Sequence, residues 1–234
     1  MDKAAQQKWD AWAASHSNLL ESVERSPDPE AMEVILDDIA TKLALAEGDR
    51  LLDVGCGSGV VCTELGRRHK LEVAGVDFAH AQVKLGIEHF PRTAFAQAAA
   101  ESVPFVEGSF DKLLCYGVFH YVDDWRGAIA DFARVVAPGG RILIGDLPSK
   151  AHRHRLYLGY VKRLPVILKN LKTLFSKVDY ARQTSHWHWI DVEAMRRHAE
   201  SLGHEARIVP QPRGHRQYGG ETHTYRFDLL IEVK

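Results

Sequence analysis

Cysteine is scarce in this chain: three among 234 residues, at Cys56, Cys62 and Cys115. None belongs to a CxxC pair, so neither a disulfide framework nor a thiolate metal site is expected, and reduced thiols in a cytosolic protein are. Long apolar runs are also missing. None approaches the ~18–20 residues that a membrane span requires. The opening stretch MDKAAQQKWDAWAASHS holds no apolar signal core, so a cytoplasmic location is expected. Charge of one sign is not in excess either. Thirty basic residues face 31 acidic ones, a formal net charge of −1, which argues against a surface coated for nucleic acid. There is no internal repeat, no low-complexity tract, and no GKS or GKT with which to close a P-loop.

What is present is an ordinary globular composition, 45% hydrophobic and 26% charged. Residues 1–48 read as helical. Trp9, Trp12 and Ala13 share one face, a break follows at Ser26-Pro27-Asp28-Pro29, and a second amphipathic helix carries Met32, Ile35, Leu36, Ile39 and Leu43 up to Gly48. From Arg50 the pattern alternates. Strands are expected at Arg50–Val54, Leu71–Val76, Thr93–Gln97, Lys112–Tyr116 and Arg141–Gly145. Helices are expected at Val60–Arg68, Ala81–His89 and Trp125–Val136, the last ended by Pro138-Gly139-Gly140. Such alternation predicts βαβ units in an α/β fold, with a parallel sheet covered on both faces. A late helix, Val192–Leu202 with Asp191 as N-cap, and strands at Glu205–Val209 and Thr224–Glu232 extend the same sheet. The chain therefore reads as one domain, with an N-terminal helical flap at 1–48 and a helical cap insertion at 149–190.

In a doubly wound sheet, ligands bind at the carboxyl ends of the strands. The first strand runs into Asp53-Val54-Gly55-Cys56-Gly57-Ser58-Gly59. Its glycine spacing is GxGxG rather than the GxGxxG of a dinucleotide loop, because the third position is Val60. Asp53 would repel a pyrophosphate and suits a cationic ligand. Asp77, at the end of the second strand, can accept hydrogen bonds from both hydroxyls of a ribose. A ribose, a cation and no phosphate describe S-adenosylmethionine.

Four stretches, LLDVGCGSG, GVDFAHAQV, AAAESVPFVEGSFDKLLCYGVFHYVDD and ARVVAPGGRILIGD, resemble in order and spacing the motifs of class I S-adenosylmethionine-dependent methyltransferases of the small-molecule group. The resemblance covers about residues 45–148. It implies seven strands in a Rossmann-like, doubly wound sheet, the last strand antiparallel. It also implies that Gly55, Cys56, Gly57 and Gly59 admit the methionine and ribose, and that Asp53 faces the ammonium. Asp77 would clamp the ribose, Phe78 would lie against the adenine, and Ala100 and Glu101 would flank its edge. Relatives commonly carry an Asp where this chain has Ala99.

Tyr116 and His120 follow the fourth strand and are the first candidates to meet the acceptor, His120 as a general base. His186 and His188, in SHWHW, would share one face of an extended segment, with Trp187 and Trp189 on the other. No third ligand accompanies them, so no metal is expected. From Lys150 to Val178 there are eight basic residues and no acidic one, which leaves 22 basic against 31 acidic residues elsewhere. That segregation fits an amphipathic lid with solvated lysines, attraction to an anionic small-molecule acceptor, or docking to an anionic membrane surface or carrier. Transfer to oxygen is expected ahead of transfer to a small amine, in natural-product or sugar-type biosynthesis. A cofactor-binding partner subunit without catalysis is the other class of reading. Oligomeric state has no signature in the sequence.

Overall fold

A computed structural model describes residues 3–15, 29–152, 189–211 and 226–234. Helices α1 (Lys3–Ser15) and α2 (Pro29–Leu43) precede β1 (Arg50–Val54). Then follow α3 (Val60–His69), β2 (Glu72–Asp77), α4 (His80–His89), β3 (Ala94–Gln97) and β4 (Phe110–Tyr116). A short 3-10 turn, Phe119–Tyr121, leads to α5 (Trp125–Val135) and β5 (Val136–Pro148). The chain closes with α6 (Val192–Ser201), β6 (Glu205–Pro210) and β7 (Arg226–Glu232).

The seven strands form one sheet in the order β3-β2-β1-β4-β5-β7-β6. β1 pairs in parallel with both β2 and β4, and β7 runs antiparallel to β5 and β6. Strand order reverses at β1/β4, so a crevice opens there beyond the carboxyl ends.

Consecutive strand residues serve opposite faces, because side chains alternate along a strand. Leu52, Leu113 and Ile142 pack with Ile129 and Phe132 of α5 and Met195 of α6. Their neighbours Leu51, Leu114 and Leu143 pack with Leu36, Ile39 and Leu43 of α2 and Leu65 of α3. Two apolar layers thus clamp a sheet whose central strands have no solvated face.

Two expected boundaries are corrected. The second helix ends at Leu43, not Gly48, because Ala44 turns left-handed at φ 49° while Leu45 N–H bonds back to Ala40 O at 3.0 Å. The helix before β5 ends at Val135, and Pro138-Gly139-Gly140 lies inside the strand rather than before it. Val136 already pairs with Phe110 across a bulge, and Gly139 N–H reaches Val233 O at 2.8 Å, so the sheet captures the PGG stretch.

Candidate cofactor cleft

Gly55, Gly57 and Gly59 all take positive φ, at 75°, 57° and 79°. The loop is sewn to β2: Gly55 and Cys56 donate to Val76 O at 2.7 and 3.0 Å, and Gly57 N–H donates to Asp77 Oδ2 at 2.9 Å. A side chain at Gly55 would sit 2.5 Å from Val118, so only glycine permits both this backbone and this approach. The loop delivers the chain into α3, whose N-cap, Gly59, offers no side-chain acceptor. The helix N-terminus, with its partial positive charge, therefore faces the cleft through Val60 and Val61.

Asp53 and Asp77 form the polar floor, 3% and 9% exposed. Asp77 Oδ1 accepts Ala79 N–H at 2.8 Å. Burial raises its carboxyl to about 6, against the pull of the Ala79, Gly57 and Phe78 backbone N–H groups. Phe78, Ala98, Ala100 and Val118 supply apolar wall, and Tyr116 and Gly117 continue it beyond β4. Burial likewise drives the Cys56, Cys62 and Cys115 thiols well above their ordinary range.

α1 closes the cleft from outside. Trp9 lines it and meets Tyr121 edge-on, with ring centroids 6.1 Å apart. Gln6 Nε2 donates to Phe78 O at 3.1 Å, and Asp10 Oδ1 accepts Ala81 N–H at 2.9 Å. Asp10 thereby caps α4, whose own N-cap residue, Ala79, has no side-chain oxygen.

The cleft gathers Asp53, Gly55, Cys56, Gly57, Asp77 and Phe78. Ala100 and Tyr116 line it too. Gly59, Glu101 and His120 lie outside the lining. Glu101 Oε1 is 3.4 Å from Asp123 N–H. His120 is 4% exposed, with its ring 4.3 Å from that of Tyr121. His186, His188 and the basic stretch beyond His152 fall outside the described residues.

Sequence reasoning passed over Gln82 and Tyr121, which also line the cleft. It passed over a buried ionic group beside Tyr116 as well. Arg226 Nη1 meets Asp146 Oδ2 at 2.6 Å and Asp146 O at 2.9 Å. Lys42 Nζ meets Asp228 Oδ2 at 2.6 Å and Asp38 Oδ2 at 2.5 Å. Burial raises the Asp228 and Asp38 carboxyls, and Lys42 opposes it in both. Arg226 and Asp228 are two apart in RFDLLIE, and that was the available signal: two charges on one face, leading into the apolar run Leu229-Leu230-Ile231, demand partners.

Two buried carboxylates, a close-approach glycine turn and a helix N-terminus fit the sulfonium, ammonium, ribose and carboxylate of S-adenosylmethionine. Among the described residues no phosphate cradle is formed. Sheet order, antiparallel β7 and this cleft have the arrangement of class I S-adenosylmethionine-dependent methyltransferases.

Comparison with known proteins finds the same likeness. Residues 52–144 match the family described as "Methyltransferase domain". The chain is 31% identical over 123 residues to the O-methyltransferase rstn1 of Aspergillus nomiae, covering 50% of this chain and 55% of that one. It is 30% identical over 138 residues to the ubiquinone/menaquinone biosynthesis C-methyltransferase UbiE of Geotalea daltonii, covering 54% and 58%. The chain thus spans just over half the length of these curated relatives. Among solved structures, the Haemonchus contortus phosphoethanolamine N-methyltransferase 2 complex with phosphomonomethylethanolamine and S-adenosylhomocysteine shares the fold. Its TM-score is 0.63 at 14% identity, over 98% of this chain and 57% of that one.

Proposed function

We propose that this protein transfers a methyl group from S-adenosylmethionine to a small-molecule acceptor, with oxygen the favoured atom, in natural-product or sugar-type biosynthesis. The observation that carries the reading is the pairing of Asp53 and Asp77 beneath a glycine loop that lines the cleft. The relative named as an O-methyltransferase supports oxygen as the acceptor atom.

When bound, the cofactor supplies an activated methyl on a sulfonium. The chain's own work is then alignment and exclusion of water. Asp77 holds the ribose, and the Gly55–Gly59 turn lets backbone approach closely. Trp9 and Phe78 shield the cleft, while Tyr116 presents its ring and hydroxyl at the end of β4, next to β1. The basic stretch from Lys150 to Lys177 supports an anionic acceptor, drawn in by its charge.

Calorimetry with S-adenosylhomocysteine tests the cofactor step, and release of that product from S-adenosylmethionine with a metabolite extract tests transfer. The expected result is binding plus methylated small molecules by mass spectrometry. Robust methylation of protein or RNA instead would overturn the acceptor class. Binding without turnover would favour a partner subunit that holds the cofactor and catalyses nothing.

A further inference from the structure

We infer that Gln211 is a positioning residue, whose side-chain amide fixes the Tyr116 hydroxyl at the wall of the cofactor cleft. Gln211 follows the last residue of β6. Its Nε2 donates to Tyr116 Oη at 3.2 Å, to Asp228 Oδ1 at 3.2 Å and to Asp146 Oδ1 at 3.3 Å. An amide nitrogen carries two hydrogens, so three acceptors saturate it. The two carboxylates also settle which way the amide faces. Turned over, its oxygen would face two carboxylate oxygens that only accept, with the Tyr116 hydroxyl left as its one donor among the three.

Everything around this amide is fixed by charge. Arg226 locks Asp146, and Lys42 locks Asp228. Lys42 Nζ also donates to Pro210 O, the carbonyl preceding Gln211, at 3.2 Å. Asp146 N–H donates to Asp228 Oδ1 at 2.8 Å, from a backbone held at φ 60°. On the other side the Tyr116 ring packs against Gly145, where a Cβ would approach Tyr116 Cδ2 to 2.2 Å. Ring and hydroxyl are therefore held at separate points, the ring by a missing side chain and the hydroxyl by Gln211. Gln211 and Asp228 do not themselves line the cleft, so the group acts on it through Tyr116.

This inference rests on the cofactor reading of the cleft, and its test separates the two. Gln211→Met keeps length and bulk while removing the donor. With 3-fluorotyrosine in place of the seven tyrosines, the Tyr116 fluorine resonance is assigned by its loss in Tyr116→Phe. Gln211→Met should shift or broaden that resonance selectively and weaken S-adenosylhomocysteine binding about three- to tenfold, as one lost hydrogen bond implies. Tyr116→Phe should weaken it comparably, and the double variant should lose no more than either single one. An unchanged Tyr116 resonance, or additive losses, would overturn the inference. If the wild-type protein fails to bind S-adenosylhomocysteine, the cofactor reading falls and the fluorine spectrum alone still judges the Gln211–Tyr116 pair. Thermal melting reports folding, and Gln211→Asn, one methylene too short to bridge the three acceptors, is read the same way if the Met variant does not fold.

Discussion

The carboxylate of Asp10, on α1, accepts the backbone N–H of Ala81 at 2.9 Å and caps a helix 71 residues further along the chain. α4 starts at His80 without a cap of its own, so it borrows one from the segment that covers the cofactor cleft. Asp10→Ala should cost about 1 kcal/mol, the usual worth of an N-cap. Its signature is local: amide hydrogen exchange should accelerate at residues 80–83, and S-adenosylhomocysteine binding should weaken. Unchanged exchange there would show that the contact does not hold α4.

Asp77 predicts a dependence on pH with a definite sign. Burial raises its folded carboxyl to about 6 from the ordinary 3.8. The folded state therefore holds its proton more tightly, and this contribution to stability is fully present below about pH 4 and lost as pH rises through 6. The apo protein should accordingly lose stability relative to Asp77→Asn between pH 4 and 6, by about 3 kcal/mol across the window, with a flat difference above it. Denaturant melts of both proteins at four pH values measure this.

Ligand binding should run the other way with pH. A ribose donates to the carboxylate and not to the acid, so affinity for S-adenosylhomocysteine should fall as pH drops below 6. Asp77→Ala should weaken binding roughly tenfold to a hundredfold at pH 7.5, the range for hydrogen bonds to a charged group. Calorimetry at pH 5 and 7.5 reads both effects, and equal affinity at the two values would contradict the ribose role.

Gly145→Ala drives a methyl group to 2.2 Å from the Tyr116 ring. Overpacking of this kind costs about 1–3 kcal/mol. The melting temperature should fall, and Tyr116→Phe should not restore it, because the clash is with the ring rather than the hydroxyl.

Arg226→Met removes the partner of a carboxylate that is 2% exposed. Breaking a buried pair from one side costs about 3–5 kcal/mol. Arg226→Met combined with Asp146→Asn should recover part of that loss, as seen in urea melts, since the neutral amide strands no charge and tolerates the positive φ of position 146.

The sheet was legible because its strands announce themselves by alternation. Leu51/Leu52, Leu113/Leu114 and Ile142/Leu143 each send one residue to either layer. The glycine loop was legible because three positive-φ positions admit little else. The PGG stretch misled because proline and glycine mark local breaks, whereas the bond from Gly139 to Val233 is a partnership 94 positions apart. Gln211 was invisible for the same reason. Its three acceptors come from β4, β5 and β7, and nothing in Pro210-Gln211-Pro212 foretells them. His120 stood out by residue type and place, yet type does not tell that its ring packs 4.3 Å from that of Tyr121, which lines the cleft.

The three buried thiols make the molecule its own stopwatch. Cys56 borders the cleft, while Cys62 and Cys115 are fully covered within the core. A protonated, covered thiol reacts only after the structure around it opens. Under a slow alkylating agent, Cys56 times the parting of the glycine loop and Cys115 times the parting of the central strands. A bound ligand that stills the loop would lengthen the first interval before the second.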